Sequence, residues 1–217
     1  SKMAFTMTLV LYTGGALAFF FLEADHAFAG ESAPVRALMA AFQSVTARTA
    51  GFASVDQSSL SQGGVLLMLV LMFVGAASGS TGGGVKVNTF AVLLLGVRAR
   101  IRRQDDLNIF RRRLDEEDIH KASSTAGIYL LGVLAGCMVL CVQGVDLTDA
   151  LYETFSAMST VGLSRNVTGT LPLLSKWTVI LMMFAGRVGS MSVAMAITRG
   201  KAAQNCIRYV PEKILIG

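Results

Sequence analysis

The 217-residue sequence is 53% apolar and 15% charged, whereas an average soluble domain carries about 25% charged residues. It has 19 Lys and Arg against 14 Asp and Glu, a net charge of +5, and a mean hydropathy of +0.58. This composition excludes a disordered chain and makes an ordinary soluble enzyme domain a poor fit. The three cysteines, Cys137, Cys141 and Cys206, match neither a disulfide framework nor a zinc-ligand spacing.

Four long apolar segments follow one another along the chain, at 4–22, 63–97, 125–145 and 177–198. A helix needs about 20 apolar residues to cross a bilayer. The first, third and fourth segments therefore predict membrane-spanning helices. A signal peptide is disfavoured for the first segment because its apolar run is long, shows no clear small-residue cleavage site and is followed by other spans.

The second apolar segment is interrupted by a glycine-rich stretch. Five glycines fall between Gly75 and Gly84, and each would cost a continuous helix about 1 kcal/mol relative to alanine. We therefore predict a span that is broken near its middle. Non-helical backbone is tolerated at membrane depth only inside protein or beside water, so we expect the break to line an aqueous path.

Two shorter amphipathic pieces lie between the spans. The first, 34–47, follows Ser32 as a candidate N-cap and has Pro34 in its first turn. The second, 149–158, follows Thr148 in the same way. Each is too short to cross a bilayer, and its length fits a re-entrant helix.

Basic residues predict the orientation of the spans. They concentrate in the 98–121 connection and in the C-terminal tail, and are sparse around the two short helices. By the positive-inside rule, the connection and the tail are cytoplasmic and the short helices lie towards the outside. Acidic residues interleave the connection at 105–106 and 115–118, which disfavours nucleic-acid binding and leaves a cytosolic partner surface as the alternative.

Shifting the sequence along itself so that position 49 falls on position 160 reveals an internal match. At this offset 49–52 fall on 160–163, and 72–75 fall on 183–186 without a gap. Both halves then contain a span, a short helix, a T-[A/V]-G-[F/L] turn and a second span, which predicts two parallel repeats rather than a chance likeness of apolar helices. The predicted division is a first repeat (1–97), a basic connection (98–123), a second repeat (124–200) and a tail (201–217).

The two T-x-G turns are candidates for an ion filter. Rings of backbone carbonyls can replace the hydration shell of potassium, glycine permits the backbone conformations that this needs, and the negative C-terminal end of a preceding short helix favours a cation. The alternative is that the two glycines only permit the backbone conformation of a turn. The candidate filter residues are Arg48, Thr49, Ala50 and Gly51 in the first half and Ser159, Thr160, Val161 and Gly162 in the second.

Three motifs, at 46–52, 75–84 and 159–164, resemble the Trk/Ktr/HKT superfamily of potassium transporters, and the likeness extends to the 211–217 tail. The chain is similar to the C-terminal half of a bacterial Ktr membrane subunit. This resemblance implies an all-α membrane protein with two parallel span–pore helix–filter–span repeats, which form half of a pseudo-fourfold cation pore. The first two repeats of the family would then come from the same protein or from a second chain.

The resemblance also implies roles for individual residues. Gly51 and Gly162 are similar to filter glycines that accompany potassium selectivity, and Arg187 is similar to a buried arginine that contacts a gating loop. A packing or snorkelling role is the alternative for Arg187, Lys86 has no assigned role, and Glu153 is either a hydrogen-bond acceptor near the filter or a capping charge. The implied gating residues are Gly75, Ser78, Gly79, Ser80, Thr81, Gly82, Gly83, Gly84 and Arg187.

The implied function is potassium transport across the plasma (inner) membrane, with sodium as a possible coupling or activating ion. The resemblance implies a homodimer of membrane subunits on a cytosolic regulatory ring that binds ATP or ADP. Two alternatives come from other classes. A membrane enzyme is disfavoured because His26 and His120 are far apart in sequence and no nucleophile–base pair is evident, and a non-conducting assembly subunit is the runner-up.

Overall fold

The structure is a computed structural model that describes residues 2–77, 79–80, 82–102, 108–109, 112–113 and 116–189. The described chain is mainly helical. A single two-residue ladder, β1 (Asn108–Ile109) against β2 (Arg112–Arg113), departs there from the all-α expectation. The helices in chain order are α1 (Lys2–Leu22), α2 (Ala33–Thr46), α3 (Gln62–Phe73), α4 (Val87–Ile101), α5 (Glu116–Val142), α6 (Leu147–Met158) and α7 (Leu173–Val188).

Two helices of the described chain are long and apolar enough to cross a membrane. These are α1, with 21 residues, and the Glu117–Val142 part of α5, with 26 residues. Their outer faces carry large exposed apolar side chains, such as Phe5 at 71% and Met138 at 72% exposure. Water-soluble monomers rarely expose contiguous apolar surface of this kind.

The fourth predicted span differs from the expectation. Helix α7 begins at Leu173 and ends at Val188, where Gly189 adopts a φ of 98°. A left-handed residue at this position stops a helix because its backbone can no longer continue the i to i−4 ladder. The remainder of the predicted span, 190–198, lies outside the described residues.

The two short helices are present, with one correction to their caps. Helix α2 begins after Ser32 with Pro34 in its first turn, although the Ser32 side chain makes no capping hydrogen bond. Helix α6 begins at Leu147, and its cap is Asp146, whose carboxylate accepts a hydrogen bond from the Thr148 N–H at 3.0 Å. Asp146 displaces Thr148 because a carboxylate at this earlier position satisfies the free N–H groups of the first turn.

The predicted break in the second apolar segment is also present. Helix α3 ends at Phe73 and α4 begins at Val87. The loop between them is closed at its base by a parallel bridge between Val74 and Val85, with the Gly75 N–H donating to the Val85 carbonyl at 2.9 Å. The backbone polar groups of the break are thus partly paired with each other, as burial away from water requires.

Equivalent elements recur in the two halves of the described chain at the offset that the sequence match predicts. A short 3-10 helix at Gln57–Ser59 has its counterpart at Thr168–Thr170, and α3 starts at Gln62 where α7 starts at Leu173. Helix α1 packs on α2 in the first half, as α5 packs on α6 in the second. The second half also has α7 packed against both α5 and α6.

The C-terminal end of α1 is tied to the start of α3 by the buried side chain of Glu23. Glu23 has no exposed surface and accepts hydrogen bonds from the Ser61 hydroxyl at 2.6 Å and the Ser61 N–H at 3.2 Å. The same Ser61 oxygen caps α3 by accepting from the Gly64 N–H at 3.0 Å. A Cβ at position 64 would collide with the Glu23 carboxylate, so glycine is needed there for space.

Replacing Glu23 by alanine should destabilise the fold by about 2 kcal/mol, because the hydrogen bonds from Ser61 are lost and its partly buried N–H and hydroxyl are left without this acceptor. The measurement is thermal unfolding of the complete assembly in detergent. Glu31→Ala is the matched control, since it removes the same charge from an exposed loop position. Equal melting temperatures for the two variants would contradict this role of Glu23.

Candidate functional site

The two candidate filter segments each begin at the C-terminal end of a short helix. The first turn segment (48–51) follows α2, which ends at Thr46, and the second turn segment (159–162) follows α6, which ends at Met158. A helix C-terminus carries roughly half a negative charge from its unpaired carbonyls. Both segments therefore start in an environment that favours a cation.

The backbone of both segments passes through the left-handed region at the same two positions. The φ angles are 68° at Thr49 and 75° at Gly51 in the first segment, and 55° at Thr160 and 89° at Gly162 in the second. The sequence predicted extended turns, and the left-handed threonines are a correction. A β-branched residue is unfavourable in this conformation, and backbone strain of this kind concentrates at functional sites.

Hydrogen bonds back to the preceding helix explain why the chain reverses there. The Gly51 N–H donates to the Thr46 carbonyl at 3.3 Å, and the Val161 N–H donates to the Ser156 carbonyl at 2.9 Å. The Thr46 hydroxyl further donates to the Phe52 carbonyl at 2.5 Å. These bonds complete the helix C-termini and engage N–H groups of the turns.

The two turn segments meet directly. A Cβ at Gly51 would collide with the carbonyl oxygen of Val161, so the first segment can approach the second only because position 51 is glycine. Gly162 differs, since a Cβ there would have nothing within 4 Å and only its φ of 89° favours glycine. The contact places backbone from both halves at one point.

The glycine loop (75–84) lies against both turn segments. The Gly83 N–H donates to the Thr160 hydroxyl at 2.8 Å. A Cβ at Gly82 would stand 2.6 Å from the Thr49 hydroxyl. The two left-handed threonines thus both contact the loop, and glycine at 82 and 83 permits this approach. Ser78 and Thr81, two of the predicted gating residues, lie outside the described residues.

The loop is held in place from its own C-terminal side. The Lys86 ammonium donates to the Ser80 carbonyl at 3.1 Å and also to the Gly82 carbonyl. At the base of the loop, a Cβ at Gly75 would collide with the Gly83 carbonyl. Lys86, for which the sequence indicated no role, therefore tethers the loop backbone.

Arg187 shares a cavity with the glycine loop. The cavity, of about 380 Å³, is also lined by Lys86, Tyr129 and Ser80. Arg187 lies in the last turn of α7, just before the helix ends, and not in the middle of a continuous helix as the sequence suggested. Two cationic side chains thus line one cavity beside the loop.

Glu153 supports the segment that follows the second turn. Its side chain is 4% exposed and accepts hydrogen bonds from the hydroxyls of Ser164 and Thr168, the latter at 3.0 Å. This is the hydrogen-bond acceptor role, and the cap of α6 is a different residue. Beside it, Arg165 forms an ion pair with Asp149 at 2.8 Å.

Asp56 joins the loop after the first turn segment to the loop after the second. Its carboxylate accepts hydrogen bonds from the Ser58 N–H at 3.0 Å and from the Asn166 side-chain amide at 3.0 Å. The Ser58 N–H and hydroxyl, followed by the Asn166 amide, hold the pKa of Asp56 below its ordinary value. Asp56 therefore stays ionised at neutral pH.

Sequence reasoning missed the buried polar side chains behind the turns. The Gln57 side-chain oxygen accepts hydrogen bonds from the Gln43 amide at 2.6 Å and from the Tyr152 hydroxyl at 2.9 Å. The Tyr129 and Ser159 hydroxyls form a second buried pair at 2.5 Å. Glutamine on the short α2 helix was the available signal, because a buried amide in an apolar setting has to find partners.

The site is backbone-rich. Within the described part of the chain, no group of three or more His, Cys, Asp or Glu side chains could hold a metal ion. The oxygen atoms that the turn segments offer are main-chain carbonyls together with the threonine hydroxyls. The membrane-length helices, the two turns that meet and the glycine loop beside them fit a protein of the transporter or channel class.

The chain belongs to the TrkH family of cation transport proteins, whose family model matches residues 2–204. It is 36% identical to the Ktr system potassium uptake protein B of Bacillus subtilis over 100% of this chain and 49% of that protein. It is 32% identical to the potassium/sodium uptake protein NtpJ of Enterococcus hirae, over 100% of this chain and 50% of that protein. The chain spans about half the length of these curated relatives.

The fold also matches a solved structure. The crystal structure of the potassium transporter TrkH from Vibrio parahaemolyticus superposes with a TM-score of 0.76 at 22% sequence identity. The match covers 91% of this chain and 44% of that one. This likeness shows that the helical arrangement is that of the family.

Thr160→Val should release the glycine loop from the second turn, because valine cannot accept the hydrogen bond from the Gly83 N–H. A lost bond worth about 1 kcal/mol raises local opening roughly fivefold. The measurement is hydrogen exchange of loop peptides in the complete assembly. Thr160→Ser keeps the hydroxyl and is the control; equal exchange in both variants would contradict the contact.

Proposed function

We propose that this chain supplies half of a potassium pore, with a filter formed by the backbone carbonyls of 48–51 and 159–162. The observation that carries the proposal is the direct meeting of two turns with matching left-handed positions, each at the end of a short helix. Of the relatives that match the whole length of this chain, one is a potassium uptake protein and one a potassium/sodium uptake protein by name.

Physical chemistry favours potassium at such a site. Potassium binds where several carbonyl oxygens replace its water shell, without a cluster of acidic side chains. The C-terminal ends of α2 and α6 add negative potential next to the turns. Sodium has a smaller radius and holds its water more tightly, so a carbonyl site suited to potassium discriminates against sodium. We further propose that sodium acts as a coupling or activating ion.

Two turns complete only half of a fourfold ring. The chain covers about half of its relatives' length, so we propose that two further repeats, from the same protein or a second chain, supply the remaining carbonyls. The two predicted repeats of the chain, 1–97 and 124–200, would be the third and fourth repeats. The recurrence of the same elements at a constant offset supports this division.

The glycine loop is proposed as the gate. It contacts both turn segments, and Lys86 and Arg187 line the cavity on which it borders. The positive charges of Lys86 and Arg187 next to the proposed ion path oppose the passage of a cation unless the loop moves. Gly79 and Gly84, with φ of 90° and 75°, give the loop backbone conformations that other residues rarely adopt.

The assembly around the pore follows the same proposal. The protein resides in the plasma (inner) membrane as a multi-pass protein, with the turn segments facing outside and the 98–121 connection and tail in the cytosol. A homodimer of membrane subunits would rest on a cytosolic ring that binds ATP or ADP. The apolar outer faces of α1 and α5 support the membrane placement.

Gly162→Ser should reduce the discrimination between potassium and sodium by roughly tenfold, a change of about 1.4 kcal/mol. Serine is strained at a φ of 89° and displaces the carbonyls of the second turn. The measurement is rubidium uptake into vesicles that contain the complete assembly, with potassium or sodium as competitor. Gly144→Ser is a matched control, since Gly144 has a φ of 87° and equally open surroundings but lies in the α5–α6 turn.

The outcomes separate the candidate functions. Uptake that potassium blocks and sodium does not, with this preference lost only in Gly162→Ser, would support the filter. Absence of uptake by the wild-type assembly would favour a non-conducting assembly subunit. Uptake that is indifferent to Gly162→Ser would reject the filter at 159–162.

Deleting 78–84 should raise the rate of rubidium uptake, because the proposed obstruction is removed. Lys86→Met is a milder variant that removes the tether to the Ser80 and Gly82 carbonyls, and it should raise uptake in the same direction by a smaller factor. Lys176→Met at the start of α7 is the charge control. Unchanged uptake by correctly folded protein would contradict the gate.

A further inference from the structure

Three buried polar side chains connect the two halves behind the turn segments. Gln43, Gln57 and Tyr152 are 0%, 2% and 0% exposed. They come from three different elements, namely α2, the 3-10 helix that follows the first turn, and α6. Their common point is the Gln57 side-chain oxygen, which accepts from the Gln43 amide at 2.6 Å and the Tyr152 hydroxyl at 2.9 Å.

This arrangement uses both lone pairs of the Gln57 oxygen. The Gln57 amide nitrogen, in turn, donates to the Val55 carbonyl at 2.8 Å. The orientation of the Gln57 side chain is therefore determined at both of its ends. Removing the Gln43 amide or the Tyr152 hydroxyl takes a partner from the buried Gln57 oxygen. The free-energy cost of that loss exceeds the net contribution of one hydrogen bond to stability.

The bond between Gln43 and Gln57 closes the chain around the first turn segment. Gln43 lies shortly before the segment and Gln57 shortly after it, so their hydrogen bond joins the chain on the two sides of 48–51. The bond to Tyr152 then attaches this closed segment to α6, the helix that leads into 159–162. The three residues therefore link α2, the Gln57–Ser59 helix and α6 behind the two turns.

We propose that Gln43, Gln57 and Tyr152 are positioning residues that hold the two turn segments at a fixed separation and thereby set which alkali cation the filter accepts. This inference rests on the proposed function. The turns meet at Gly51 and Val161, and a shift of either helix changes how far their carbonyls stand apart. An ion site made of carbonyls selects by the number and placement of those oxygens.

The test uses Tyr152→Phe, Gln57→Met and the double variant in the complete assembly. Phenylalanine removes only the hydroxyl, and methionine nearly matches the volume of glutamine without its amide. Tyr12→Phe is the matched control, since Tyr12 contributes its backbone carbonyl, not its hydroxyl, to the bond with Ser44. The readout is the selectivity ratio, which is the sodium concentration that halves rubidium uptake divided by the potassium concentration that does so.

Each single variant should lower the selectivity ratio roughly 3- to 10-fold, the range that one buried hydrogen bond supports. The double variant should lose little more than Gln57→Met alone, because Gln57→Met already removes the acceptor of the Tyr152 hydroxyl. Tyr12→Phe should retain the wild-type ratio. A selectivity ratio that stays at the wild-type value in both single variants would overturn the inference and leave the network with a packing role.

A second measurement covers variants that assemble poorly. Potassium that binds the folded assembly raises its melting temperature by mass action. In the wild type, potassium should raise the melting temperature more than sodium does. This difference should be smaller in Tyr152→Phe, and an unchanged difference would overturn the inference. If the wild-type assembly neither takes up rubidium nor responds to potassium, the proposed function itself fails, which is a distinct result.

Discussion

The structure depends on backbone approaching backbone where a Cβ would not fit. Gly51 lies against the Val161 carbonyl, Gly75 against the Gly83 carbonyl, and Gly186 against the Met158 carbonyl. The first contact joins the two turns, the second folds the interrupted span on itself, and the third seats α7 on the end of α6. Glycine is required at each for space, and this close packing brings a carbonyl oxygen of one segment against the backbone of another without a side chain between them.

Such backbone packing places polar groups in an apolar interior. Polar side chains nearby form hydrogen bonds with these groups and so offset the free-energy cost of burying them. Glu23 satisfies the start of α3, Glu153 satisfies the hydroxyls that follow the second turn, and Lys86 binds two carbonyls of the glycine loop. A buried polar atom without a partner costs more than a hydrogen bond contributes. These three charged side chains therefore lie where main-chain groups or hydroxyls need partners.

The sequence was sufficient for features that depend on composition and local spacing. Membrane-length helices, the interruption of the second apolar segment and the family of the chain all followed from apolar runs and glycine motifs. The left-handed threonines, the Asp146 cap and the end of α7 at Val188 did not. These features, like the Gln43–Gln57–Tyr152 network, depend on which segments meet in three dimensions, and a pattern of residue types carries no information on such pairings.

Matching positions of the two halves share a backbone conformation but not the same neighbours. Gly51 and Gly162 both have positive φ, yet only Gly51 is crowded, by the other half's carbonyl. Within this chain, position 51 is therefore limited by space and by backbone conformation, whereas position 162 is limited by backbone conformation alone. An added side chain at position 51 would push the two turns apart, and the same side chain at position 162 would act only on the turn that carries it.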